Sequence, residues 1–293
     1  MSVQRVARIL LGIILLGVFG YYVYMRNENM ITTAALADLP IVEDEMPDEV
    51  LPAAPAALPQ ESKKPEESPP APETIEPVDT PETPAAPDPN SPAGKALAKG
   101  LPAPPEIDIN SWEFILANTE NSIAEYAPPD LSYLGDTGCP VDSRIASALI
   151  DFAEDTMAQG LSVYLSSGYR SYSDQAANFT RVCQNNGISD GKDANGFYIT
   201  FPAGYSEHQT GLCCDVTDIY YSVKNSSIEN TATFQYMSQH CQDFGFILRY
   251  PKGKETITGV MYEPWHYRYV GVDVAKYIME NDLTFEEFVE LYR

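Results

Sequence analysis

The sequence predicts an α+β domain, a small sheet with helices packed against it, and three observations carry that expectation. Segments with apolar residues at helical spacing alternate with short segments rich in β-formers. Neither Gly-rich phosphate motifs nor internal repeats accompany them. Eighteen of the 24 prolines fall between Asp38 and Asp108, which confines the folded part to about Ile109–Arg293, some 185 residues. That is enough for one domain with a real core.

Each element has its own signal. "SRIASALIDFAEDTMAQG" (143–160) has helical apolar spacing and ends on glycine, so it predicts a helix with a C-terminal stop. "LSVYLSSGYRS" alternates and predicts a strand running into a turn at Gly168. "SDQAANFTRVCQNNG" predicts a second helix, capped by Ser173 and stopped at Gly187. "LCCDVTDIY" and "FILRY" predict strands, with "TATFQYMSQHCQDFG" helical between them. "YEPWHYRYVG" predicts another strand, and "VDVAKYIMENDLTFEEFVELYR" closes with two short helices.

The segments before the domain are of a different kind. Residues 1–8 carry Arg5 and Arg8, and an uncharged run of about 17 residues follows from Ile9 to Met25. Tyr21, Tyr22 and Tyr24 at its far end suit a membrane interface. A transmembrane signal anchor over 9–25 is expected, with the N-terminus cytoplasmic and the rest exported. The competing expectation is a cleaved signal peptide, but Ala35-Leu36-Ala37 lies about a dozen residues beyond the apolar run. Residues 26–108 read as a disordered, acidic, Pro-rich stalk, unable to bury enough apolar surface to fold. The formal net charge of −24, about half of it from the stalk, argues against nucleic acid as a partner, and no protein partner is implied.

Chemistry concentrates in three segments. "GYSEHQTGLCCDV" (204–216) places His208 and Asp215 seven apart, and the chain has only 3 histidines. "YEPWHYRYVG" holds Glu263 and His266; on a strand these two would face oppositely, but Pro264 can bend the chain. Together they make a two-His, one-carboxylate triad with a spare Glu, a complete set for a hydrolytic metal site. In "SSGYRSYSDQ", Arg170 follows a strand and a turn, where a guanidinium can clamp a carboxylate, stabilise an oxyanion or form a surface salt bridge. His240 reads as structural. Five cysteines (139, 183, 213, 214 and 241) lie in the domain, and Cys213 and Cys214 point to opposite faces of the predicted strand.

"SEHQTGLCCD" fits the pattern S-x-H-x-x-G-x-A-x-D at every position but one. With "SGYRS" before it and "EPWHYRYVG" after it, the chain resembles the VanY-type zinc D-alanyl-D-alanine carboxypeptidases over roughly Ser143–Val274. That group shares its mainly antiparallel fold with L-alanyl-D-glutamate endopeptidases and the hedgehog signalling domain. The resemblance implies a Zn2+ cofactor held by His208, Asp215 and His266. It implies Glu263 as general base and Arg170 as the group facing the oxyanion. Ser206 and Gln175 would line the substrate cleft, and Trp265 and Arg268 would pack behind the ligands. The implied reaction is hydrolysis of the terminal D-Ala from peptidoglycan stem peptides, carried out extracytoplasmically. The alternatives are an L,D-carboxypeptidase on tetrapeptide stems, a non-catalytic wall-binding module, and a cysteine hydrolase using Cys213 or Cys214. The departure is Cys213, where alanine is usual; it is expected to be a small buried residue, a bridge to a cysteine such as Cys241, or a competitor for the metal.

Overall fold

The computed structural model describes residues 86–293 of the chain. The expected cytoplasmic segment 1–8, the anchor 9–25 and most of the stalk lie outside the described residues. The stalk boundary at 108 is corrected. Residues 92–98 form helix α1 (Pro92–Ala98), with Ser91 as N-cap and Pro92 in the first turn. Ala96 is fully buried, and Leu101, Ile107 and Ile109 pack into the same cluster. The folded part therefore begins well before Ile109, because apolar residues scattered through this proline-rich stretch pack into that cluster.

A hairpin of β1 (Leu131–Leu134) and β2 (Cys139–Asp142) comes next, unannounced by any strong strand pattern. After a 3-10 turn, helix α2 (Ala146–Ala158) runs to the left-handed Gly160. Strand β3 (Tyr164–Ser167) leads to helix α3 (Tyr172–Asn186). The cap of α3 is Ser171 rather than Ser173, because Ser171 and Asp174 form a reciprocal capping box. Strand β4 (Cys213–Thr217), helix α4 (Ala232–His240), strand β5 (Phe246–Leu248) and the short helix α5 (Glu255–Thr258) follow. Strand β6 (His266–Tyr269) and helices α6 (Val272–Glu280) and α7 (Phe285–Tyr292) complete the chain. The expected strand "YEPWHYRYVG" is shorter than predicted: Glu263 to Trp265 form the turn that enters it.

Strands β3, β4, β6 and β5 make one antiparallel sheet in that order. Its two faces do different work, as strand alternation requires. Cys214, Val216 and Tyr267 point into the main core with Leu149 and Phe152 of α2 and Phe246 of β5. Residues 213, 215, 266 and 268 occupy the opposite face. A second apolar cluster, built from Val274, Ile278, Phe285 and Phe288, joins α6 and α7 to α1. The two central strands are thus held from both sides, which fixes the polar residues between them.

Candidate metal centre

The segment "SEHQTG" forms a buried 3-10 turn over Glu207–Thr210, closed by Gly211 at φ +71°. A Cβ at Gly211 would stand 2.9 Å from the backbone nitrogen of Asp142, so the turn fits only with glycine there. The turn aims His208 inward. Its Nδ1 donates to the Gly168 carbonyl at 2.6 Å, which leaves Nε2 turned toward Asp215, 3.4 Å from Oδ1. Gly168 permits this approach: a Cβ on it would lie 2.0 Å from the Pro140 carbonyl oxygen.

Asp215 on β4 lies directly opposite His266 on β6, and directly paired residues share a sheet face. His266 Nδ1 is 3.1 Å from Asp215 Oδ1, yet that oxygen is buried and has no hydrogen-bond partner. The other carboxylate oxygen accepts from Lys224 Nζ at 2.5 Å. The turn at Pro264–Trp265 swings Glu263 onto the side of His266, and its Oε2 lies 3.5 Å from Nδ1. Two imidazole nitrogens and one orphaned carboxylate oxygen therefore converge without bonding one another. Tetrahedral zinc with ligands at about 2.0–2.1 Å sets ligand–ligand edges of about 3.3 Å. The observed 3.1 and 3.4 Å match that spacing, and two histidines with a carboxylate are a ligand set that zinc takes. The residues fit the ion.

Behind His208, Asp215 and His266 sits a charged layer, of which sequence reading singled out Arg268 but missed Glu207 and Arg249. Glu207 is buried beside His208; its Oε1 accepts from Arg249 Nε at 2.7 Å and from Arg268 Nη1 at 2.9 Å. Its Oε2 faces His266 Nε2 at 3.4 Å, and neither atom has another partner. This contact turns Nδ1 of His266 toward Asp215. Arg249 is held further by Glu286 at 2.6 and 2.8 Å, and Tyr250 lays its ring 4.9 Å from that of His266. The expectation that Arg268 lies behind the ligands agrees with its position against Glu207, while Trp265 is buried at the entry to β6.

Arg170 is fixed at both ends of its guanidinium, donating from Nε to Gln175 Oε1 and from Nη1 to Ser167 Oγ, each at 2.7 Å. Gln175 is a correction. It is 1% exposed, its amide oxygen holds Arg170 and its amide nitrogen donates to the Phe201 carbonyl at 2.5 Å, so neither end faces a cleft. Ser206 opens the 3-10 turn without capping it through its side chain. His240 stacks on Tyr236 at the end of α4. All five cysteines are free, so the bridge from Cys213 to Cys241 does not form. Cys214 faces the core, its sulfur 3.7 Å from that of Cys139, whereas Cys213 faces the imidazoles.

The electrostatics follow from burial and these neighbours. Burial by itself raises the Asp215 carboxyl, but Lys224 and then His208 hold it well below the usual carboxylate range. Burial lifts Glu263 to about 7, with His266 pulling the other way and Asp215 adding to the rise. Burial lowers His266, yet Cys213, Asp215 and Glu207 outweigh it and hold it well above the usual imidazole value. Such a group can carry a proton at Glu263 while keeping Asp215 charged, the division that water activation beside a cation needs.

A family model described as VanY, D-alanyl-D-alanine carboxypeptidase, matches residues 139–272. YodJ of Bacillus subtilis (strain 168), a carboxypeptidase candidate, is 40% identical over 151 residues, covering 51% of this chain and 54% of YodJ. The D-alanyl-D-alanine carboxypeptidase of Enterococcus faecalis (strain ATCC 700802 / V583) is 32% identical over 194 residues, 62% of this chain and 67% of that protein. The chain thus spans between about half and two thirds of the length of these relatives. Among solved structures, the LdcB LD-carboxypeptidase is 32% identical with a TM-score of 0.54, over 64% of this chain and 94% of that one. The D,D-pentapeptidase VanY of the VanB-type resistance cassette, a Glu-to-Ala mutant in complex with Zn(II), is 31% identical with a TM-score of 0.51, over 61% and 99%.

Proposed function

The chain belongs to the VanY family of D-alanyl-D-alanine carboxypeptidases, and from that membership we propose that it is a zinc-dependent D,D-carboxypeptidase of peptidoglycan stem peptides. The observation that carries the reading is the convergence of His208 Nε2 and His266 Nδ1 on the orphaned Asp215 Oδ1, with the Glu263 carboxylate 3.5 Å from His266. In this reading those three atoms would hold the ion, which when bound would supply Lewis acidity for hydrolysis. Glu263 takes a proton from the attacking water and passes it to the leaving amine of D-alanine. Burial that lifts its carboxyl to about 7 suits both halves of that transfer near neutrality. Arg170, oriented by Gln175 and Ser167, meets the oxyanion of the scissile carbonyl. Lys224 keeps Asp215 ionised with Oδ1 free, and Glu207 orients His266. Ser206, beside the ligand turn, is assigned to the substrate cleft. The reading includes the apolar run 9–25 as a membrane anchor with the domain outside the cytoplasm, a point that fractionation with and without that run tests.

A second reading, removal of D-Ala from tetrapeptide stems, is favoured by the LdcB LD-carboxypeptidase likeness. The two separate in one experiment. The zinc-loaded chain is incubated with pentapeptide and tetrapeptide muropeptides, and the products are weighed by mass spectrometry. Loss of one alanine from the pentapeptide alone is expected. Loss from the tetrapeptide moves the activity to the L,D class, and no loss from either, with metal bound, contradicts both.

A further inference from the structure

His208, Cys213 and His266 are all buried and can each offer one ligand atom, the three lying within 4.8 Å of one another. Cys213 and Asp215 are two apart on β4, so strand alternation puts the sulfur and the carboxylate on the same face. Register adds to this: Cys213 lies opposite Arg268 and Asp215 opposite His266 on β6. The thiol is fully buried and in no disulfide. Next to it, the Asp215 oxygen is itself buried and unpartnered, an independent sign that these side chains are arranged around something not of the protein.

Resting on the metal site of the proposed function, we propose that Cys213 Sγ is a fourth protein ligand of the ion, giving an Asp–His–His–Cys set in place of Asp–His–His. Ligation forms a metal–sulfur bond and releases the thiol proton to solvent. The consequence is chemical. Three N and O ligands leave one tetrahedral position open for water, whereas four protein ligands make a closed site. Water then enters only by expansion to a fifth ligand or by departure of the sulfur. A thiolate also biases the site toward thiophilic dications over hard ones. Cys213 therefore trades access of water against retention of the metal. Cys214, one residue on, contributes nothing to this set because it points into the core against Cys139.

The test uses the full chain, stripped of metal and reloaded with one equivalent of Co(II), whose spectrum reports sulfur ligation apart from turnover. The wild type should show visible ligand-field bands together with an intense near-ultraviolet sulfur-to-cobalt charge-transfer band. Cys213→Ala should keep the ligand-field bands and lose the charge-transfer band, and Cys213→Ser, which preserves the volume, should do the same. Chelator competition should show weaker zinc retention in both variants. The loss should be at least the roughly 10-fold typical of removing a ligand's outer partner. Ligand-field bands without charge transfer in the wild type would overturn the sulfur ligand while leaving the His–Asp–His site standing. A charge-transfer band that survives both substitutions would overturn it as well, by assigning the band to another cysteine. Absence of any bound cobalt would remove the underlying site and this inference with it.

Discussion

Glu207 offers the most demanding prediction, because its carboxylate ties His266 to the buried arginines Arg249 and Arg268. Replacing it by alanine leaves Arg268 facing backbone carbonyls alone, at Glu113, Ile115 and Tyr269, with no carboxylate to neutralise it. Arg249 retains Glu286. Both guanidinium side chains are fully buried, so solvent cannot replace the lost partner. Removing one member of a buried ion pair costs about 3–5 kcal/mol. At roughly 2–4 °C per kcal/mol for a domain of this size, the melting temperature should fall by roughly 6–20 °C. The substitution also frees His266 Nε2, for which loss of an outer partner costs about 10–100-fold in metal affinity. Thermal unfolding followed by circular dichroism and zinc competition with a chelator read the two effects separately. The pH dependence has a defined sign. Burial raises the Glu207 carboxyl, but Arg249 and Arg268 outweigh it and hold it far below the ordinary value of 4.5. Its stabilisation is therefore complete above pH 4.5 and lost as pH falls below it, so the gap between wild type and variant should close only in acid. A melting shift under about 2 °C with unchanged zinc affinity would refute the reasoning.

Other expectations follow from the same geometry. If Glu263 is the base proposed above, it must be unprotonated to act, and since burial lifts it to about 7, kcat/KM should fall on an acid limb between pH 7 and its ordinary 4.5. A profile flat over that interval would contradict the assignment. Gln175→Ala removes the acceptor that orients Arg170 Nε, and kcat should drop roughly 100-fold with zinc content unchanged; equal activity would separate Gln175 from catalysis. Gly168→Ala drives a methyl into the Pro140 carbonyl, 2.0 Å away, and should cost at least about 1–3 kcal/mol by thermal unfolding, with displacement of the His208 support. Chelation should lower the melting temperature as well as activity, by roughly 5–11 °C for an ion present at 100 times its Kd.

Much of the centre was legible because its residues are spaced by backbone geometry. Cys213 and Asp215 share a face by strand alternation, Cys214 takes the other, and Pro264 bends Glu263 to the side of His266. Glu207 was not legible, although it adjoins His208 in the chain. Its partners lie 42 and 61 residues away, and only the paired strands bring them together. Lys224 stands on a loop whose sequence has no pattern linking it to Asp215. The role of Gln175 was misread because motif position says nothing of which way an amide is spent. The hairpin over 131–142 is two four-residue strands, too short to show a period. Helix α1 did carry a signal within the proline-rich stretch: a serine cap, proline in the first turn, and Gly100 in the left-handed conformation after the end.

The central claim is a metal held by His208, Asp215 and His266 with Glu263 as the base beside it. It is tested most directly by measuring zinc content and pentapeptide turnover together in Glu263→Ala and His208→Ala. The account predicts one zinc per chain without turnover in Glu263→Ala, and loss of both in His208→Ala. Full turnover in Glu263→Ala, or undiminished zinc in His208→Ala, would contradict it.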